Sequence, residues 1–93
     1  MNAYLVTYEL KKAGKDYKPF FEELKTAPKW WHYIKDSWII ITDESLELWS
    51  GRLRPLIDAN DFLLIIGINR KRHGQLPEKA WNWLRENVGA REL

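Results

Sequence analysis

Apolar positions recur every second residue at the start of the chain. From Ala3 to Leu10 the sequence AYLVTYEL is rich in aromatic and β-branched residues and predicts a strand. Alternation puts Tyr4, Val6 and Tyr8 on one face and Ala3, Leu5 and Thr7 on the other, so both faces are largely apolar. A polar loop follows, Lys11 to Lys15 with Gly14. The period then lengthens. Tyr17, Phe20, Phe21 and Leu24 share one helical stripe, with Asp16 placed to cap it and Pro19 tolerated in the first turn. Ala27-Pro28 closes that helix.

The next stretch, KWWHYIKDSWIII, is the densest in aromatic residues. Lys35-Asp36 divides it into Trp30–Ile34 and Ser37–Thr42, a predicted β-hairpin. In its first strand Trp30, His32 and Ile34 are expected on one face, opposite Trp31 and Tyr33. In its second, Trp38 and Ile40 oppose Ile39 and Ile41. Neither strand has the polar face of a sheet with one side in water. Thr42-Asp43 is then expected to cap a helix with Leu46, Trp49 and Leu53 on its stripe, stopped or kinked at Pro55. Asp58 to Asp61 reads as a turn. Phe62 to Ile68 is again apolar on both faces, broken only by Gly67. The basic loop NRKRHGQ leads to Pro77, a suitable start for a helix in which Trp81, Leu84 and Val88 align and Gly89 is the stop.

This order is β-α-β-β-α-β with a further C-terminal helix. It predicts an α+β, ferredoxin-like domain with a four-stranded antiparallel sheet, occupying residues 1–93. Two helices in that arrangement cover one sheet face and leave the other open. A contiguous exposed apolar face of that size is rare in a monomer, so either the third helix or a second chain is expected to cover it.

Composition narrows the chemistry. Fifteen basic against 13 acidic residues give a net charge of +2, too balanced to imply nucleic acid by itself. The absence of cysteine excludes disulfides, thiolate metal sites and thiol catalysis. The N-terminus has no basic-then-apolar leader, and no apolar run approaches the ~20 residues of a membrane span. A cytoplasmic protein with no membrane partner is expected.

Several segments together resemble the Cas2-like superfamily, and within it the small stand-alone proteins of the SinR family. They are YLVTYEL at 4–10, GKDY at 14–17, WWHYIKDSWIIITD at 30–43, LRPLIDANDFLLII at 53–66 and KAWNWL at 79–84. The resemblance implies a ferredoxin-like protomer that forms a homodimer about the open face of its sheet. One set of aromatics would pack under the helices. The other would face a partner or the C-terminal segment, with Tyr4, Trp31 and Tyr33 as interface candidates. It also implies a setting in prokaryotic or phage defence or mobile elements.

In Cas2 proteins the first strand ends in an aspartate that can hold a divalent metal across the dimer. The matching residue here is Glu9, in VTYE, one methylene longer. The arginine usual in the family soon after it is replaced by Lys11, Lys12 and Lys15. Glu9 is therefore the candidate catalytic and metal residue, with Mg or Mn as cofactor if the protein is a nuclease and no cofactor if it is not. Whether it is an enzyme is left open. The expectation is a non-catalytic dimeric protein associated with nucleic acid or with another protein. The alternatives are a nuclease using Glu9 from both chains, and an adaptor or inhibitor docking a larger protein.

Basic residues cluster at Lys11, Lys12, Lys15 and Lys18 and again at Arg70, Lys71 and Arg72. These are the candidate contacts to DNA or RNA phosphates. Because the first and last strands are antiparallel neighbours, the two clusters should lie at opposite ends of one protomer, and a dimer could join them. Asp58, Asn60 and Asp61 lack the glycine and distant glutamate of a calcium loop and read as turn chemistry. His32 and His73 form no ligand pair and read as a packed hairpin residue and a loop residue. The tryptophans lie among isoleucines and leucines, which favours core or interface over base stacking.

Overall fold

In the computed structural model, which describes residues 1–89, the chain folds as an α+β domain. The order is β1 (Asn2–Glu9), α1 (Lys18–Leu24), β2 (Lys29–Ile34), β3 (Ser37–Thr42), α2 (Leu46–Leu53), β4 (Phe62–Gly67) and α3 (Glu78–Asn87). The strands form one antiparallel sheet ordered β2-β3-β1-β4, the arrangement expected of a ferredoxin-like fold. Residues 90–93, the end of the expected 1–93 domain, lie outside the described residues.

Both sheet faces carry a core. On one, Tyr4, Val6, Tyr8, Trp38 and Ile40 pack against Phe20 and Leu24 of α1 and Trp49 and Leu53 of α2. The polar atoms of this layer are satisfied locally. The Trp38 indole N–H donates to the Tyr8 hydroxyl at 2.9 Å, and the Tyr4 hydroxyl donates to the Glu44 carbonyl at 2.7 Å. On the other face, Ala80 and Leu84 of α3 and Val88, which caps its end, lie over Trp31, Ile39 and Ile41. Ala80 is wholly buried, and the Trp31 indole N–H donates to its carbonyl at 3.3 Å. The buried stripe of α3 thus runs 80, 84, 88, with Trp81 half-buried at its side rather than at its head.

Three local expectations are corrected. Tyr4 is interior under α1 and α2, and Trp31 is interior under α3, so neither lies at a partner surface; only Tyr33 of that set is exposed. The alternation of β2 breaks at a bulge. Trp31 pairs with Ile39 and Ile34 with Ser37, which leaves His32 and Tyr33 opposite Trp38. Ile34 therefore joins Trp31's face instead of Trp30's. Finally, α2 is capped by Ser45, whose side chain accepts from the Leu48 N–H at 3.2 Å. The Thr42 hydroxyl accepts instead from the Glu44 N–H and the Trp49 indole, joining β3 to α2.

Two clamps fix the loops. Arg52 forks onto Glu44, sits 3.4 Å from Glu23, and lies over the Trp49 ring. This ties α2 to α1 and to the end of β3. The hydrogen bonds from Arg52, only partly opposed by burial, hold the Glu44 carboxyl below its ordinary range. Asp61 accepts from the Tyr17 hydroxyl (2.6 Å), the Lys11 N–H (2.7 Å) and the Asp58 N–H (2.8 Å). Burial works against the Asp61 charge, but these hydrogen bonds outweigh it and hold the carboxyl below its ordinary range.

Candidate interaction surface

α3 covers only part of the second face. It lies over β2, β3 and the start of β1, leaving β4 outside. In the register of β1 with β4, Leu5 pairs with Ile66, Thr7 with Leu64 and Glu9 with Phe62, and such partners share a face. Phe62, Leu64 and Ile66 therefore stand on the α3 side of the sheet, and among the described residues no helix lies over them. They are 60%, 53% and 40% exposed. Three large side chains in a row form an apolar band of the kind that marks an interaction site; Ile34, also exposed on this face, stands apart on the far edge strand, across Ser37 and Thr7. The opposite side of β4, Leu63 and Ile65, is half-buried beside a groove of about 820 Å³ along α2.

Glu9 ends β1 at the margin of this band and is exposed. Among the described residues no group of three or more His, Cys, Asp or Glu side chains could hold a metal ion. A single Glu9 does not fit a divalent cation that needs several oxygen ligands. Asp58 and Asp61 are turn residues. Asp61 accepts three hydrogen bonds, while Asp58 accepts the Asn60 N–H and pairs with Lys12 at 3.5 Å. The ring of His32 stacks on Trp38 with centroids 4.1 Å apart and bonds the Lys35 carbonyl. His73 stands in the loop before α3, at the rim of a cavity of about 330 Å³ walled by Leu5, Trp31, Ile39 and Trp81.

The two basic clusters lie at opposite ends of β1, as the antiparallel pairing requires. From Ala3 to Glu9 the sheet runs about 20 Å at ~3.4 Å per residue. At one end the Lys11 ammonium sits 3.5 Å from the Phe62 ring centre, a cation–π contact at the edge of the apolar band. Lys15 lies 5.9 Å from the Tyr17 ring, and Lys18 is exposed at the start of α1. At the other end Arg72 donates to the carbonyls of Arg70 and Val88, so part of this cluster closes the end of α3. Lys71 is exposed beside it.

The site residues that sequence reasoning missed are Phe62, Leu64 and Ile66. Their signal was present as FLLIIG, six residues without a charge between Asp61 and Ile68, but it reads equally well as a buried strand. Compared with family models, curated proteins and solved structures, the chain matches none.

Proposed function

We propose that this chain is a non-catalytic homodimeric protein of the cytoplasm that associates with nucleic acid through the basic loops at the two ends of its sheet. The observation that supports self-association is the exposed band Phe62, Leu64 and Ile66, on a strand that no helix among the described residues covers on that side. At ~25 cal/mol per Å² of apolar surface removed from water, covering such a band with a second chain is favourable. The exposed lysines Lys11, Lys12 and Lys71 support phosphate binding, and the Cas2-like resemblance of the sequence agrees with both parts. That resemblance also carries the proposed setting in prokaryotic or phage defence. An adaptor that docks a larger protein would use the same band, but nothing in its chemistry selects such a partner over a second copy.

Titration of a labelled DNA or RNA oligonucleotide against the protein over a range of salt tests this function. Backbone binding predicts that log K falls linearly with log salt. Charge reversal at Lys11 and Lys71 should weaken binding and flatten that slope. Binding that is absent at low salt overturns the nucleic-acid part. Metal-dependent cleavage abolished by Glu9→Gln overturns the non-catalytic part.

A further inference from the structure

We infer that two copies of this chain join edge to edge through β4, in antiparallel register about a twofold axis at Leu64, to make one eight-stranded sheet. The inference rests on the homodimer proposed above and specifies its contact. The sheet has two edges, β2 and β4. β2 is defended in the usual ways, with Lys29 at its start and a bulge between Trp31 and Ile34 that interrupts its line. β4 has neither. Phe62–Gly67 contains no charge and no proline, and its ladder to β1 is regular throughout.

The free backbone groups can be placed. The Ile68 N–H donates to the Ala3 carbonyl, so Ile68 faces β1. By alternation Phe62, Leu64 and Ile66 also turn their backbone groups toward β1, while Leu63, Ile65 and Gly67 turn theirs outward. An axis at Leu64 sets Leu63 opposite the partner's Ile65, so that outward groups exchange hydrogen bonds. It also sets the two exposed bands side by side on one face of the sheet, where each shields the other's flank. Leu64 meets the partner's Leu64, and Phe62 meets the partner's Ile66.

Charge and shape agree with this register. At each end it brings the turn that holds Asp58 and Asp61 to the same end of the joined sheet as the partner's basic loop, which contains Arg70 and Lys71. On the helix side, the partner's Leu63 and Ile65 enter the groove of about 820 Å³ beside α2, where Gly51 would have nothing within 4 Å of an added Cβ. The dimer also answers the separation of the basic clusters. Lys11, Lys12 and Lys15 of one chain come to the same end of the joined sheet as the partner's basic loop, making a longer phosphate-facing stripe at each end.

The two Glu9 residues, by contrast, stay apart. Three strand spacings of ~4.8 Å across and four residues of ~3.4 Å along place them about 20 Å from one another, too far to share an ion.

Because the chain has no cysteine, single cysteines report the register directly. Opposed residues at a non-hydrogen-bonded antiparallel position have Cα atoms about 4.5 Å apart, within disulfide range. With folding checked by circular dichroism and dimerisation by sedimentation, Leu64→Cys should oxidise to a covalent dimer. Ile66→Cys alone should not, since its two copies stand about 14 Å apart along the strands, whereas Phe62→Cys mixed with Ile66→Cys should cross-link. A dimer in which Leu64→Cys stays uncrosslinked, or in which Glu9→Cys cross-links, overturns the edge pairing and leaves the homodimer standing. A monomer removes both.

Discussion

Trp38→Ala removes the side chain on which the hairpin is built. Trp38 is 1% exposed. Its ring stacks on His32 at 4.1 Å, lies 5.1 Å from Trp30 and 6.4 Å from Phe21, and its N–H holds the Tyr8 hydroxyl. Truncation at such a site loses the transfer energy of the ring and leaves a cavity, costing about 3–5 kcal/mol. The lost hydrogen bond is not a large addition, because the Tyr8 hydroxyl still reaches the Lys35 carbonyl at 3.4 Å. For a domain of this size each kcal/mol moves the melting temperature by about 4–8 °C, so the fall should be at least about 12 °C. Trp30→Ala is the internal control, since Trp30 is 40% exposed and has less to lose. Thermal melts followed by far-ultraviolet circular dichroism decide it. A Trp38→Ala melt within a degree or two of the parent would show that the hairpin aromatics are not the core, and would favour a stacking surface instead.

Ser45→Ala removes the α2 cap and should cost about 1 kcal/mol in denaturant unfolding. Gly89→Ala should cost about 1–2 kcal/mol by the same assay, because φ is +61° and an added Cβ would sit 3.1 Å from the Arg70 Cβ. Acid should destabilise the protein through Asp61 and Glu44. Both carboxyls are held below their ordinary range in the folded state, so their stabilisation is present above the unfolded value of about 4 and is lost as pH falls through the lower folded value. Melts taken from about pH 6 to about pH 2 should drop, and Asp61→Asn should drop less steeply than the parent across that acid limb.

Element order was legible because each period is local. The alternation of 3–10 and the stripes of α1 and α2 survive in the fold with small shifts at their ends. The position of α3 was legible only as one of two choices, since an apolar face asks for a cover without naming it. Trp31 shows the consequence, for its burial under Ala80 and Leu84 depends on a contact 49 residues away along the chain. The bulge that turns Ile34 over was hidden because an inserted residue leaves no mark on composition. Asp61 reads as a turn residue and is one. That it also fastens the Lys11 to Tyr17 loop is a tertiary fact that spacing cannot carry. The strand 62–68 was legible as apolar on both faces, but not as the part that α3 leaves bare, for a simpler reason. A strand exposed for a partner and a strand buried under a helix are written in the same residues.

Sedimentation equilibrium of the intact chain at micromolar concentration is the most direct test of self-association. α3 covers the β2 and β3 side of the sheet and, among the described residues, leaves Phe62, Leu64 and Ile66 exposed, and the proposed dimer assigns them to a second copy. The mass should therefore be twice 11.2 kDa, and Leu64→Lys should return it to the single-chain value. A parent chain that sediments at 11.2 kDa across that range would contradict it.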